Sequence, residues 1–178
     1  MSTAFRHNSS PENLISHLEI SYQPNKKLEL DVTGSFGNSA NGQVTIKTPF
    51  VGYEETTGAF TQTLRSNGYE AHLEAVYNQV QRLEIDLSVS PSEGRFVIRT
   101  PFAGFAEIST AYNNVLASDS ITGHVEAAFR GQKMEVDVSL SNSNGKITIK
   151  TPLSGYEEMS AAFTQQLTNS RFTGKLEI

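Results

Sequence analysis

The sequence predicts an all-β protein: an antiparallel meander of about thirteen amphipathic strands, built from three four-strand repeats of about 52 residues plus a stub. Three observations lead to this fold class. Blocks of sequence recur at a nearly constant spacing. Each block alternates apolar and polar residues, which is the pattern of a half-buried strand. Short turn sequences separate the blocks.

The repeat is clearest around a Thr-Pro pair, which recurs at Thr48, Thr100 and Thr151, at spacings of 52 and 51 residues. The repeats cover about residues 15–68, 69–120 and 121–171, and a stub follows at 172–178. We expect residues 15–178 to form a single repeat-built β domain. Residues 1–14 read as a polar leader, and we expect them to be disordered.

Each repeat contains four strand types, which we call a, b, c and d in chain order. The first three alternate plainly between apolar and polar residues. Type a is HLEISY from His17, HLEAVY from His72, HVEAAF from His124 and KLEI from Lys175; type b is KLELDVT from Lys27, RLEIDLS from Arg82 and KMEVDVS from Lys133; type c is GQVTIK from Gly42, GRFVIR from Gly94 and GKITIK from Gly145.

Type d is ambiguous between a strand and a short helix. Its apolar residues fit a helical spacing, but Ile108, Tyr112 and Leu116 also fit strand alternation. The Asn67-Gly68 pair that follows the first copy is a strong hairpin signal. We therefore predict a strand.

Closing each d–a hairpin on the matching turn gives a common register. The turn at Asn67-Gly68 would pair Leu64 with Ala71 and Phe60 with Ala75. The equivalent turns at Asp119-Ser120 and Ser170-Arg171 would pair Leu116 with Gly123 and Leu167 with Gly174. The same offset in all three copies supports the strand prediction.

The b–c hairpins provide a second test of register. Two-residue turns at Pro91-Ser92 and Asn142-Ser143 would pair Glu84 with Arg99 and Glu135 with Lys150, and a longer loop would pair Glu29 with Lys47. Opposite charges facing one another favour this alignment. A slip of one residue would move every apolar side chain to the other face.

Alternation places the apolar side chains of all strands on one face, which we expect to meet lipid or a protein core. Thirteen strands of about 27 Å, spaced about 4.8 Å apart, would give this face an area on the order of 1,500 Å², more than a soluble monomer ordinarily exposes. The candidate residues are Leu18, Ile20, Tyr22, Leu28, Leu30, Val32, Val44, Ile46, Phe60, Leu64, Leu73, Tyr77, Leu83, Ile85, Leu87, Phe96, Ile98, Tyr112, Leu116, Val125, Phe129, Met134, Val136, Val138, Ile147, Ile149, Phe163 and Leu167.

Several ways of covering this face stay open at the level of sequence. The sheet could remain an open, curled sheet, close into a barrel or form a sandwich. Another protein surface or another copy of the chain could cover it, so a homo-oligomer is possible. Lipid could cover it as well.

A corner is predicted between types c and d. Proline ends the strand ladder and glycine permits the turn. The corner residues are Pro49, Gly52, Pro101, Gly104, Pro152 and Gly155.

Composition and spacing argue against several function classes. The net charge is −5 with interspersed signs, which disfavours a nucleic-acid partner. No apolar stretch is long enough for a transmembrane helix. His17, His72 and His124 recur at matching positions, but four strands separate them by about 19 Å, which is too far for one shared metal. We predict no catalytic residues, no metal, no cofactor and no enzymatic activity.

The segments TIKTPFVGYEE, VIRTPFAGFAE and TIKTPLSGYEE, each preceded by a KLELDV-type strand, resemble the β-sheet regions of the large lipid transfer proteins, the apolipoprotein B, apolipophorin and vitellogenin family. The resemblance covers about residues 14–178. It implies an extracellular lipid-binding or lipid-transport segment whose partners are phospholipid or acylglycerol. The chain begins without a signal peptide, so we expect a fragment of a longer protein. The alternative is a structural or protein-interaction module without lipid.

Overall fold

The structure is a computed structural model that describes residues 2–23, 26–77, 80–168 and 171–177. All regular elements in these ranges are strands. They are β1 (Ser2–Ser9), β2 (Asn13–Gln23), β3 (Lys26–Ser35), β4 (Ser39–Lys47), β5 (Glu55–Arg65), β6 (Gly68–Tyr77), β7 (Gln81–Val89), β8 (Glu93–Arg99), β9 (Glu107–Leu116), β10 (Ser120–Phe129), β11 (Gln132–Ser141), β12 (Asn144–Lys150), β13 (Glu158–Thr168) and β14 (Arg171–Glu177).

The strands follow one another in sheet order from β1 to β14. The predicted all-β antiparallel meander is therefore confirmed. The order is open, because β1 and β14 stand at its two ends and are not neighbours. The sequence had left a closed arrangement possible, and the strand order shows that this sheet is not closed on itself.

Two compact units can be distinguished. Unit 1 comprises Met1–Val89 and Val97–Ala106, and unit 2 comprises Ser90–Phe96 and Glu107–Ile178. Within each unit, the contacts between strands join strands that are adjacent in the chain.

The ambiguous type d segments are strands. They form β5, β9 and β13 over eleven, ten and eleven residues. Their apolar and polar residues alternate, and each pairs with the next type a strand.

The predicted disordered leader instead contains a strand. β1 pairs with β2 so that Phe5 lies opposite Leu18, and β13 pairs with β14 so that Phe163 lies opposite Leu176. The segment Ser-Thr-Ala-Phe in β1 corresponds to Ser-Ala-Ala-Phe in β13. β1 is therefore a further strand of type d. The sequence did not indicate this strand, because Phe5 is its one large apolar residue and the alternation is therefore weak.

The d–a register differs from the prediction by two residues. Leu64 lies opposite Tyr69 rather than Ala71, and Leu116 lies opposite Ile121 rather than Gly123. The backbone of Leu167 likewise pairs with Phe172 rather than Gly174. A shift of two keeps every side chain on its face.

The apolar side chains favour the observed d–a register. It places large apolar residues against one another, such as Phe60 against Leu73 and Tyr112 against Val125, where the predicted register gave each ring an alanine partner.

The predicted b–c register is confirmed where strand pairing is resolved. Glu29 lies opposite Lys47 and Glu135 lies opposite Lys150. In the middle repeat, Arg99 Nη1 lies 3.4 Å from Glu84 Oε2, and the Ser90 amide donates to the Glu93 carbonyl across the Pro91-Ser92 turn. Complementary charges and a two-residue turn are together sufficient to fix this register.

Candidate functional surface

Strand pairing brings the predicted apolar residues together on one face of each unit, which we call the apolar face. In unit 1 the aligned residues form continuous rows across neighbouring strands. One row joins Leu18, Leu30 and Ile46. Another joins Phe60, Leu73 and Ile85.

Unit 2 repeats this arrangement. Tyr112, Val125 and Val136 lie opposite one another across β9, β10 and β11, and Ile149 continues the row in β12. Val138 lies opposite Ile147 in the next row. Each strand thus contributes to one apolar surface within its unit.

The other predicted apolar residues occupy the same strand faces, with three special cases. Tyr22 lies at an irregularity between Ser21 and Gln23, where pairing does not fix its face. Phe96 and Ile98 in β8 alternate with Arg99, which points to the opposite side. The side chain of Leu167 lies outside the described residues.

Strand pairing adds large apolar residues that the sequence prediction left out. Phe5 lies in β1, which was not predicted as a strand, and most of the others lie near strand ends, where the predicted strands stopped too early. Eight more residues belong to the apolar face: Phe5, Leu14, Tyr69, Val89, Ile108, Ile121, Leu140 and Met159.

Much of the apolar face is uncovered among the described residues. The described hydrophobic side chains that are buried are Ala40 and Val97, whereas Val125 and Met134 each keep 49% of their surface exposed. Within each unit no described strand packs over another, since contacts join chain neighbours only. The apolar-face positions of β4–β7 and β9–β13 carry no Asp, Glu, Lys or Arg.

An aromatic ring lies on a glycine in each repeat. Phe60 lies on Gly42, Tyr112 on Gly94 and Phe163 on Gly145. A Cβ atom at these glycines would come within 2.4, 2.2 and 2.2 Å of the ring, so no larger residue fits without displacement. The ring covers backbone that glycine leaves bare, as in designed sheets.

The opposite face, which we call the polar face, carries a repeated ion-pair network. Each copy joins a histidine, an aspartate, two glutamates and two cations on strands of types a, b and c. In unit 1, Arg82 lies 3.1 Å from Glu74 and Arg99 lies 2.7 Å from Asp86. In unit 2, Lys133 lies 2.7 Å from both Glu126 and Glu135.

A histidine–aspartate pair joins strands a and b in every repeat. The Nδ1–H groups of His17, His72 and His124 donate to Asp31, Asp86 and Asp137, each at 2.6 Å. Nδ1 must carry the proton, because an ionised carboxylate can only accept. The pairs were not predicted from the sequence, because we derived no a–b register.

These contacts shift the pKa values of the network. The hydrogen bond to Asp86 raises the pKa of His72, and the bond to Asp137 raises that of His124. The same bond from His72, with a second from Arg99, lowers the pKa of Asp86. Lys133 lowers the pKa of Glu126 and Glu135, and Lys27 lowers that of Glu19.

The pairs at His72 and His124 have the geometry of ion pairs, and the described residues around them differ from those of a catalytic dyad. In a dyad the second ring nitrogen faces a nucleophile. Here Nε2 of His72 and of His124 faces Glu74 and Glu126, at 3.8 and 3.6 Å. His124, Glu126 and Glu135 are close enough together to hold a metal ion, but the Lys133 ammonium already bridges the two carboxylates.

The c–d corners share one hydrogen-bonded geometry. Thr48 Oγ1 accepts from the Phe50 amide and donates to the Tyr53 carbonyl, and its own amide donates to the Glu54 carbonyl. Equivalent bonds form at Thr100 and Thr151. A turn then closes from the Tyr53 amide to the Phe50 carbonyl.

The corner glycines supply the backbone conformation that this turn needs. Gly52, Gly104 and Gly155 have φ of 86°, 78° and 84°, as the third residue of a type II turn requires. The predicted corner prolines precede these turns directly. In the first and third corners the Gly amide also donates to a carboxylate, that of Glu54 or Glu157. The pKa of the Glu54 carboxyl is lowered by its own backbone amide and by that of Gly52, and the pKa of the Glu157 carboxyl is lowered by the Gly155 amide and by its own.

Fold and faces together define a repeat-built amphipathic β-sheet protein. Nothing among the described residues is a helix long and apolar enough to span a membrane. The chain matches no protein-family model, no curated protein and no solved structure.

Proposed function

We propose that this chain is a non-enzymatic lipid-binding segment, whose apolar face rests on a phospholipid or acylglycerol surface. The observation that carries the proposal is the exposed, uncharged apolar face in both units. Contiguous apolar surface of this kind marks an interaction site in a soluble protein. The resemblance to the large lipid transfer proteins supports the same function and an extracellular setting.

Two features favour lipid over a protein partner. A protein interface ordinarily adds hydrogen bonds and charged rim contacts to its apolar centre. The apolar face offers mainly aliphatic and aromatic side chains, and the ion pairs of the polar face are satisfied among themselves. A fluid lipid surface requires neither shape complementarity nor directed bonds.

A pair of substitutions in β10 tests the proposal. Val125 lies on the apolar face and Thr122 on the polar face of the same strand. Val125→Asp places a charge against lipid, and we expect about tenfold weaker partition onto phospholipid-coated triolein emulsions, equivalent to about 1.4 kcal/mol. Thr122→Asp is the matched control and should leave partition unchanged. Flotation of the emulsion measures both.

Native mass spectrometry with organic extraction provides an independent test. We expect many heterogeneous phospholipid or acylglycerol molecules on each purified chain. A lipid-free, monodisperse monomer or oligomer with intact β-type circular dichroism would overturn the proposal. It would favour instead the structural or protein-interaction module.

A further inference from the structure

The tips of the c–d corners carry apolar side chains that the fold does not use. Phe50 and Val51 keep 60% and 93% of their surface exposed, and Tyr53 keeps 61%. Phe102 keeps 60% in the second corner, and Leu153 and Tyr156 keep 62% and 63% in the third. These side chains contribute little to packing, so their apolar character needs another explanation.

The corner holds its tip in a fixed conformation. The threonine hydroxyl, the type II turn and the strand ladder on both sides together restrain the backbone. A restrained loop loses little conformational entropy when it binds. The tip is thus preorganised for contact.

The chemistry of the tips is constant although their residues differ. Phe50-Val51 in the first corner corresponds to Phe102-Ala103 and to Leu153-Ser154. No residue between the corner proline and the following aromatic is charged. A protein pocket would distinguish phenylalanine from leucine by shape, whereas a lipid layer accepts both.

Two of the glutamates that follow the tips, Glu54 and Glu157, are bonded to the corner itself and do not point outward. The Glu54 and Glu157 carboxylates turn back to accept the amides of Gly52 and Gly155, at 3.0 Å each. The aromatic that ends each tip combines an apolar ring with, in two corners, a phenol. Tyrosine of this kind is enriched where hydrocarbon meets water.

Other aromatics lie at the same strand end within unit 1. Tyr77 is the last residue of β6 and lies opposite Thr56 near the start of β5, and Tyr22 lies next to the last residue of β2. Several exposed aromatic side chains of unit 1 therefore lie at this strand end, as aromatic residues do in an interfacial belt.

We propose that the corner tips enter the boundary between headgroups and acyl chains of a phospholipid surface and anchor the strand ends there. This inference rests on the proposed function and adds to it the part of the chain that penetrates. Amphipathic surface segments typically reach about 5–10 Å into this boundary.

The chain contains no tryptophan, which allows single reporters to be placed at will. Leu153→Trp puts the reporter at a corner tip of unit 2. Val115→Trp is its matched control, because Val115 belongs to the same unit, lies on the polar face opposite Thr122 and is 64% exposed against 62% for Leu153. Phe50→Trp repeats the measurement in unit 1.

Each variant is mixed with phosphatidylcholine vesicles whose acyl chains carry bromine at shallow or deep positions. Flotation first measures binding. We expect emission from the corner reporters to shift to the blue and to be quenched more by shallow than by deep bromine, and emission from Val115→Trp to be unchanged. A triple variant, Phe50→Ser with Phe102→Ser and Leu153→Ser, should partition at least fivefold less while keeping its unfolding midpoint.

The outcomes separate this inference from the proposed function. If the chain floats with vesicles but the corner reporters remain unquenched, the corners do not penetrate and the inference is overturned while the proposed function stands. If no variant floats, including the unsubstituted chain, both are overturned.

Discussion

At the scale of single residues, the contact between ring and glycine is a tight steric constraint. The Tyr112 ring occupies the space of a side chain at Gly94, and its hydroxyl donates to the Ser90 carbonyl at 2.7 Å. The ring is thus held from both ends. Glycine is required at this position for space rather than for backbone conformation.

We therefore expect Gly94→Ala to lower the free energy of unfolding by about 1–3 kcal/mol, the usual cost of overpacking. Gly123→Ala is the matched control, because its new methyl would meet nothing closer than the Asn113 carbonyl at 3.9 Å. That control should be neutral or slightly stabilising. Urea denaturation measures both, and equal effects would contradict the steric explanation.

The histidine–aspartate pairs predict a pH dependence. The pKa values of His72 and His124 are raised, so the stability that their charged forms add is complete below the ordinary histidine pKa of about 6.5 and is lost as pH rises through the raised values. Asp86, with its lowered pKa, stays ionised throughout this range.

We expect the unfolding free energy to be higher at pH 5.5 than at pH 8.5, by a few tenths of a kcal/mol for each exposed pair. His72→Asn with His124→Asn should remove most of this difference, measured by urea denaturation at both pH values. His7→Asn is the control, because the His7 ring bonds to Ser16 Oγ and not to a carboxylate. An unchanged pH dependence in the double variant would refute this assignment.

At the scale of elements, each corner depends on one threonine hydroxyl. Thr151 Oγ1 accepts from the Leu153 amide at 3.1 Å and donates to the Tyr156 carbonyl at 2.7 Å. Valine has the same shape and can make neither bond. The corner would keep its backbone bond from the Thr151 amide to the Glu157 carbonyl.

Thr151→Val should consequently cost about 1–2 kcal/mol, the net contribution of two hydrogen bonds, and should speed hydrogen exchange at the Leu153 amide. Thr122→Val, at an exposed position of β10, should cost little because valine suits a strand. Denaturation and exchange-detected mass spectrometry distinguish the two. Unaltered exchange at Leu153 would show that the hydroxyl does not hold the corner.

The elements also show what sequence can and cannot determine here. The b–c register was predictable because the pairing of Glu135 with Lys150 and a two-residue turn specify the same alignment. The d–a register was not predictable. A shift of two residues keeps Leu64 on the same face, and both registers can close on a short turn. β1 was missed because its single large apolar residue, Phe5, gives too weak an alternation.

The same distinction applies to the candidate site. The apolar face followed from alternation alone, since strand geometry fixes which residues share a side. The histidine–aspartate pairs needed the a–b register, and the irregularity between Ser21 and Gln23 obscures it in the first repeat. The corner hydrogen bonds form only when the turn closes in three dimensions. The spacing of residues along the sequence does not predict that geometry.

At the scale of the whole molecule, two kinds of chemistry are kept apart on the two faces. The described ion-pair networks lie on the polar face, whereas the apolar-face positions of β4–β7 and β9–β13 carry no charged residue. Salt therefore acts on one face and leaves the other nearly unaffected.

We expect 0.5 M NaCl to lower the unfolding free energy slightly, because exposed ion pairs are screened. Partition onto zwitterionic phosphatidylcholine emulsions should stay the same or increase, because apolar burial drives it. Flotation with and without salt provides the measurement. A several-fold loss of partition would indicate that the polar face binds instead.

Contacts that join only chain neighbours within each unit have a consequence for how the protein forms. No strand must wait for a distant partner, so the entropy lost in closing each loop is small and contact order is low for an all-β chain. Each hairpin can assemble soon after its two strands leave the ribosome, and a growing apolar surface is then exposed during synthesis. Lipid that met the nascent chain would cover that surface strand by strand.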